Sequence, residues 1–93
     1  MTSRAVLIQN ALGLHARAAA RFVRLAGTFG AHINVDRAGR TIDGKSIMGL
    51  LLLAAARGTS ITISADGADE GDAVTALSAL VERGFDDEAA CSS

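Results

Sequence analysis

The chain has 93 residues, of which 49% are apolar and three are aromatic, and its formal net charge is −1. This length predicts a single domain with a thin core over residues 1–85, followed by a disordered tail over residues 86–93. The longest apolar run, residues 47–56, is shorter than the ~20 residues of a membrane span, which argues against membrane insertion. A single cysteine, Cys91, excludes an internal disulfide, and no signal-peptide pattern opens the chain, so the expected compartment is the cytoplasm.

The charges are unevenly distributed along the chain. Residues 1–60 hold eight basic and two acidic side chains, a net charge of +6, whereas residues 61–93 hold one basic and eight acidic side chains, a net charge of −7. The basic half predicts an acidic partner protein. Nucleic acid is not favoured, because no aromatic side chain lies among the arginines and the chain as a whole is not basic.

In chain order, the first predicted element is a short buried strand over residues 5–8, followed by a loop over residues 10–14. A helix from about Ala16 to Ala26 comes next and is expected to end near Gly27. Its core stripe has the i, i+3, i+4, i+7 spacing and consists of Ala19, Phe22, Val23 and Ala26. Strict alternation over residues 33–36 predicts a half-buried strand, and a turn at Ala38-Gly39 leads into a returning strand over residues 40–43.

The second half of the chain predicts a further helix, strand and helix. Ser46 is placed to cap a short apolar helix over about residues 47–53, and residues 60–65 alternate most regularly of all. Asp69 is expected to cap a last helix over about residues 70–83, which Gly84 ends. The order β-α-β-β-α-β-α predicts an α+β fold, an open-faced β-sandwich in which three helices cover one face of a four-stranded, mainly antiparallel sheet.

The segment Gly13-Leu14-His15-Ala16-Arg17 carries the most chemical information. It places His15 at the first residue of the predicted helix, with Arg17 two positions further in. A helix start offers unpaired backbone N–H groups and the positive end of the helix dipole, and together these bind anions. A histidine ring nitrogen held there can act as the nucleophile toward a phosphoryl group, which the N–H groups and Arg17 then stabilise. The competing interpretation is an ordinary exposed histidine at a helix end. His32, which opens a predicted strand, is interpreted as a structural residue.

This segment and Gly44-Lys45-Ser46-Ile47-Met48-Gly49-Leu50 resemble the two signature segments of the HPr family, the phosphocarriers of the bacterial phosphoenolpyruvate-dependent phosphotransferase system. The resemblance implies that His15 accepts a phosphoryl group from enzyme I, as a pros-phosphohistidine, and passes it to enzyme IIA domains. It implies that Arg17 contacts the phosphate, and that the chain is a monomeric carrier rather than an enzyme, with no cofactor or metal ion of its own. One departure is Ala18, where the family usually has proline; alanine still favours a helix start here.

Ser46 has two interpretations. It is a plain helix cap, or it is also a site of phosphorylation by an HPr kinase/phosphorylase, as the resemblance implies for many members; a phosphate is well placed at a helix N-terminus. Residues 39–46 also match the nucleotide-binding pattern G-x-x-x-x-G-K-[ST]. We reject a nucleotide-binding domain because it needs a parallel sheet with several crossovers, for which this chain has no room, and residues 40–43 are expected to form an edge strand.

The short helix over residues 47–53 is apolar around most of its circumference, so part of it must remain exposed. We expect Leu50 and Leu53 to be buried, leaving an apolar patch with a basic rim, which is typical of a docking surface. The residues predicted to contact partner proteins are Ala20, Arg21, Arg24, Ile47, Met48 and Leu51. An alternative role stays open within the same fold, namely the carrier of a nitrogen-related regulatory phosphotransferase relay instead of sugar uptake.

Overall fold

The computed structural model describes residues 1–53 and 55–86, and its elements follow the predicted order. They are β1 (Thr2–Leu7), α1 (Ala16–Ala26), β2 (His32–Arg37), β3 (Arg40–Asp43), α2 (Ile47–Leu53), β4 (Ser60–Asp66) and α3 (Glu70–Glu82), followed by a 3-10 turn over Gly84–Asp86. Cys91 and the predicted disordered tail, apart from Asp86 in this turn, lie outside the described residues. Among the described helices, none has the length and apolarity that crossing a membrane requires.

The four strands form one antiparallel sheet in the order β1-β4-β2-β3. Strands β4 and β2 are central and alternate as predicted, with Ile61, Ile63 and Ala65 buried on β4 and polar residues between them. The helices pack on the apolar face. On the opposite face Ser3 of β1 and Ser64 of β4 lie with their hydroxyl oxygens 3.0 Å apart. The open-faced sandwich predicted from the alternation is therefore confirmed.

Strand β1 differs from the predicted short buried strand over residues 5–8. It begins at Thr2, ends at Leu7, and pairs only with β4, so it is an edge strand. Its Val6 is buried, whereas Ala5 is exposed and Leu7 is 48% exposed. The prediction was wrong because the outward positions are themselves apolar, which hides the period of two that a half-buried strand otherwise shows.

The core lies between the sheet and the helices. Leu50 and Leu53 of α2 are buried in it, while Val23 of α1 is only partly buried. Helix α3 contributes the buried residues Ala73, Val74, Leu77, Leu80 and Val81. Phe85 was not predicted to be a core residue. After Gly84 the backbone adopts a left-handed conformation, with φ of 57° at Phe85, and this turns the chain back so that the phenyl ring is fully buried.

Asp69 occupies the N-cap position of α3, but its side chain does not cap the helix. Its carboxylate instead accepts backbone N–H groups from Gly30 at 2.9 Å and Ala31 at 2.8 Å, which fixes the segment that enters β2. Donation by the Gly30 amide above all lowers the pKa of the Asp69 carboxyl. The predicted cap was wrong because two convergent donors from a distant loop satisfy this carboxylate better than one amide of its own helix. Helix α3 also ends one residue earlier than predicted.

Glu70 ties the first turn of α3 to the beginning of β1. Its Oε2 accepts a hydrogen bond from the Thr2 hydroxyl at 2.5 Å and lies 3.0 Å from the Met1 amino group. The Thr2 hydrogen bond, followed by the amino group, lowers the pKa of Glu70 from 4.5 to about 2.

The depressed pKa of Glu70 predicts a pH-dependent stability. Because the folded pKa lies below the unfolded one, the ionised carboxylate favours folding above about pH 4.5, and this contribution disappears as the pH falls toward about 2. We expect Glu70→Gln to lower the free energy of unfolding at neutral pH and to converge with the wild type near pH 2, measured by urea titration. Asp72→Asn, which removes an exposed carboxylate from the same turn, is the control. A gap between Glu70→Gln and wild type that stays constant across this range contradicts the prediction.

Candidate functional site

The loop before α1 is held in one conformation by local and distant contacts. Gly13 has a φ of 66°, and its carbonyl accepts a 2.7 Å hydrogen bond from the Asn10 side-chain amide. The Leu14 N–H donates to the Ala55 carbonyl at 2.9 Å, and a Cβ atom at Gly13 would lie 2.7 Å from that same oxygen. A side chain at position 13 is therefore excluded by both the backbone angle and the close approach.

His15 follows this loop as the N-cap of α1, one residue before the predicted position. Its backbone is extended and its carbonyl accepts the Ala19 N–H at 2.8 Å. The ring folds back over the helix end, so that Nδ1 accepts the Arg17 backbone N–H at 3.3 Å. Nδ1 therefore carries a lone pair, and this lone pair is directed at the positive end of the helix dipole. The half-buried ring acts here as serine or asparagine does at other helix starts.

The first turn of α1 holds positive and neutral groups only. Arg17 is the second residue of α1 and is exposed, and the first turn contains no acidic residue. Ala18 is fully buried, and the helix begins at Ala16 without a proline in its first turn, as expected. A dianion beside His15 would therefore meet backbone N–H groups and a guanidinium without a carboxylate from the same turn.

Helices α1 and α2 run antiparallel to each other. At one end, the hydrogen bond from Leu14 to Ala55 joins the start of α1 to the chain just after α2. At the other end, the Lys45 Nζ donates at 2.8 Å to the carbonyl of Phe29, just after α1. The start of α2 therefore lies near the end of α1, which is 11 residues long. At ~1.5 Å per residue this separates Ser46 from His15 by about 16 Å.

Ser46 is the N-cap of α2, as predicted. Its Oγ accepts the Gly49 N–H at 3.1 Å and its carbonyl accepts the Leu50 N–H at 3.1 Å. Gly44 just before it packs so closely on β2 that a Cβ atom would lie 2.5 Å from the Ile33 side chain. The nucleotide-binding interpretation of residues 39–46 is excluded by the same region, because Arg40–Asp43 forms an edge strand paired antiparallel with β2 rather than a phosphate loop.

The residues predicted to contact partners differ in how exposed they are in the structure. Ile47 and Met48 are 41% and 67% exposed, and Arg24 is exposed, whereas Leu51 packs partly against the core. Ala20 is half-buried. Arg21 is half-buried too, and its Nη1 donates to the Phe85 carbonyl at 2.6 Å. Leu52, which is 64% exposed, extends the apolar patch and was missed.

The C-terminal end of α2 is capped by two arginines of the β2–β3 hairpin. The Nη1 atoms of Arg37 and Arg40 each lie 3.2 Å from a carbonyl of the last turn, those of Leu53 and Leu52 respectively. These cations satisfy unpaired carbonyls and face the negative end of the helix dipole. The sequence holds no local signal for this contact, because Arg37 and Arg40 precede the carbonyls they contact by 16 and 12 residues.

No cluster of three or more histidine, cysteine or acidic side chains suited to a metal ion occurs within residues 1–53 and 55–86. The candidate site is thus one imidazole at a helix start, with a second helix packed beside it.

A family model described as the phosphorylation site of the PTS HPr component matches residues 2–83. The chain belongs to the HPr family. Family membership makes it a phosphocarrier of the phosphotransferase system rather than an enzyme, which confirms the predicted resemblance.

Individual relatives match over nearly their whole length. Phosphocarrier protein HPr of Cupriavidus necator is 47% identical over 85 residues, covering 91% of this chain and 96% of that protein. The crystal structure of HPr-C-His from Thermoanaerobacter tengcongensis has a TM-score of 0.88 at 40% identity, covering 91% of this chain and 96% of that one. Crh of Bacillus subtilis, described as a domain-swapped dimer, has a TM-score of 0.74 at 38% identity, covering 90% and 97%. The predicted monomer therefore stays a prediction.

Proposed function

We propose that Nδ1 of His15 accepts a phosphoryl group from enzyme I and passes it to an enzyme IIA domain. The observation that supports this most is the 3.3 Å hydrogen bond from the Arg17 N–H to Nδ1, which holds the lone pair of that nitrogen at the anion-binding end of α1. The IIA domain that docks decides whether the phosphoryl group serves sugar uptake or a regulatory relay.

The chemistry of the proposed step follows from this geometry. The Nδ1 lone pair forms the N–P bond, and the bond from phosphorus to the donor breaks with its electron pair going to the donor. The Arg17 backbone N–H then donates to a phosphoryl oxygen instead of to Nδ1, and the exposed Arg17 guanidinium can approach the same dianion. Transfer to the IIA domain reverses these movements. No group needs to travel further than one hydrogen bond, because the donors are fixed in place beforehand.

The role assigned to Arg17 predicts a kinetic effect with little effect on folding. We expect Arg17→Ala to change the free energy of unfolding by no more than about 0.5 kcal/mol, because the side chain is exposed. We expect it to slow phosphoryl transfer roughly tenfold, equivalent to about 1.4 kcal/mol of transition-state stabilisation. Rapid-quench kinetics with enzyme I measure this. Arg24→Ala removes the same side chain two turns further along α1 and is the matched control; equal slowing by both variants contradicts a phosphate contact and indicates docking alone.

We further propose that partner proteins dock on the exposed faces of α1 and α2. This docking surface consists of Ala20, Arg21, Arg24, Ile47, Met48 and Leu51. Because the two helices pack side by side and residues 1–60 have a net charge of +6, the surface combines an apolar patch with a basic rim. An apolar centre and a complementary charged rim are the features of a specific interface, and the partner's contact face is expected to be acidic.

Ser46 is proposed as the site at which a kinase regulates docking. Its distance of about 16 Å from His15 exceeds the Debye length of ~8 Å at physiological ionic strength, so a phosphate on Ser46 acts only weakly on His15 directly. It lies beside Ile47 and Met48 of the docking surface instead. A phosphoserine of about −1.5 to −2 charges there repels an acidic partner face but suits the start of α2.

The charge of Ser46→Asp is therefore expected to weaken docking without weakening the fold. We expect the apparent KM for phosphorylation by enzyme I to rise roughly fivefold at low salt, equivalent to about 1 kcal/mol of like-charge repulsion. The melting temperature is expected to stay equal or to rise. Ser46→Ala is the control, with unchanged kinetics and a small loss of stability from the missing cap. If Ser46→Asp and wild type share the same KM at low salt, Ser46 is only a helix cap.

A further inference from the structure

An exposed leucine lies at the tip of the turn that leads into α1. The Gly13 N–H donates to the Asn10 carbonyl at 3.1 Å, which closes a β-turn with Ala11 and Leu12 as its two central residues. Leu12 is 74% exposed, and among the described large apolar side chains only Met1 is more exposed. The central positions of turns favour glycine, asparagine and other polar residues, so the fold itself gives no reason for a leucine here.

The backbone of this turn is fixed, and with it the position of the leucine. The Asn10 side-chain amide donates to the Gly13 carbonyl at 2.7 Å. Gly13 also packs against the chain just after α2, where an added Cβ atom would lie 2.7 Å from the Ala55 carbonyl oxygen. Leu12 therefore keeps a constant position relative to His15, and its side chain stays in contact with water in the free protein.

A protein that exchanges a phosphoryl group with His15 must cover the surface around this turn. Transfer brings the donor atom within ~3–3.5 Å of the acceptor, so the partner's surface is centred on Nδ1 of His15. Even a small transient interface covers about 600 Å² of each protein, which corresponds to a disc with a radius of about 14 Å. Leu12 precedes His15 by three residues, and at ~3.8 Å between consecutive Cα atoms their Cα atoms are at most ~11 Å apart.

We propose that Leu12 inserts into an apolar depression of enzyme I, beside the atom from which the phosphoryl group is transferred, and that it selects for a partner with such a contact point. This inference rests on the proposed function. An apolar depression gains from removing the leucine from water, whereas a polar surface at that point loses its hydration without gaining a hydrogen bond. In this role Leu12 contacts the partner's surface rather than the reacting atoms.

The leucine adds a second apolar contact to the docking surface. Ile47 and Met48 begin α2 and lie near the end of α1, about 16 Å from His15 by the rise of that helix. Leu12 lies at the opposite end, just before the start of α1. A partner that contacts both places is held at the two ends of α1, which fixes its orientation over His15. A partner that matches only the contact at α2 is left free to tilt away from the acceptor nitrogen.

Steady-state kinetics of Leu12→Asn test the proposal. Asparagine has nearly the shape of leucine and is favoured in turns, so the melting temperature is expected to stay unchanged. We expect the apparent KM for enzyme I to rise roughly tenfold, equivalent to about 1.4 kcal/mol. The rate at saturating enzyme I is expected to stay within about twofold of that of the wild type, because the transfer step itself is untouched. Since salt does not screen an apolar contact, the ratio of the two KM values is expected to be the same at low and high salt.

Two further variants serve as controls. Leu12→Met keeps an apolar side chain of similar volume and is expected to have a KM close to that of the wild type. Leu7→Thr removes an apolar side chain that is 48% exposed, but on the outer face of the sheet, which it shares with Ser3. It is expected to leave both KM and the saturated rate unchanged.

Several outcomes would overturn the assignment of Leu12. One is an equal KM for Leu12→Asn and wild type, and another is a KM difference that disappears at high salt, which assigns the effect to charge. A slower rate at saturation indicates a displaced His15 instead. Amide resonances around Leu12 that shift with protein concentration, and no longer do so in Leu12→Asn, indicate contact between two copies of this chain. Failure of enzyme I to label the wild type at His15 refutes the proposed function itself.

Discussion

His15→Ala is expected to abolish phosphorylation by phosphoenolpyruvate and enzyme I, whereas His32→Ala is expected to leave it intact. Of the two histidines, His15 has its Nδ1 at the start of a helix, while His32 is exposed at the start of β2. The labelled wild-type protein is expected to lose its phosphoryl group in acid, as a P–N bond does. Intact-mass spectrometry before and after acid treatment measures both outcomes.

The alanine variant also removes the acceptor that caps α1, so a second variant separates chemistry from folding. His15→Asn keeps a side chain that caps helices well but has no nucleophilic ring nitrogen. We expect it to retain the stability of the wild type to within about 1 kcal/mol and to accept no phosphoryl group. Labelling that persists in either variant at position 15 shows that another residue is the acceptor.

Gly13→Ala is expected to damage both stability and transfer. A left-handed backbone angle at a residue other than glycine costs on the order of 1–3 kcal/mol. The added Cβ would also lie 2.7 Å from the Ala55 carbonyl oxygen, so the loop that precedes His15 must move. In a chain of this size each kcal/mol lowers the melting temperature by about 4–8 °C. A displacement of His15 by even ~1 Å is expected to slow transfer by tenfold or more.

Gly39→Ala is the matched control for this prediction. Gly39 has a φ of 83°, but a Cβ atom there meets nothing within 4 Å, and it lies in the β2–β3 turn rather than near His15. It is therefore expected to cost only backbone strain and to leave phosphoryl transfer unchanged. Thermal denaturation and single-turnover kinetics on both variants separate the two effects. If Gly13→Ala behaves like Gly39→Ala, the fixed loop has no role in positioning His15.

Most of the fold could be predicted from the sequence because its elements have clear local signals. Each signal lies within or beside one element: the apolar stripe in α1, the alternation in β2 and β4, and the capping serine before α2. The bounds of these elements were confirmed to within one residue. The sequence predicted His15 as the first residue of the helix, whereas it is the N-cap. Residue types alone do not distinguish these two neighbouring positions. Only the geometry shows that the imidazole itself accepts the Arg17 N–H.

The features that could not be predicted depend on partners far away in sequence. Asp69 has the ordinary signature of a helix cap, and only the position of the Gly30 and Ala31 amides shows that it serves another segment. Phe85 follows a glycine at the end of a helix, which predicts a chain leaving the core rather than one returning to it. Long-range contacts of this kind arise from tertiary packing, and no local pattern encodes them.

The capping of α2 by the hairpin determines how this helix unfolds. A helix of seven residues is well below the ~12–15 residues at which isolated helices become even marginally stable in water. With Arg37 and Arg40 on its last carbonyls, α2 is expected to open only together with the hairpin, as one cooperative unit with shared amide hydrogen-exchange rates. The helix that presents Ile47 and Met48 is therefore already ordered before a partner protein binds. Binding then loses little conformational entropy in α2, so even a short-lived complex can transfer the phosphoryl group.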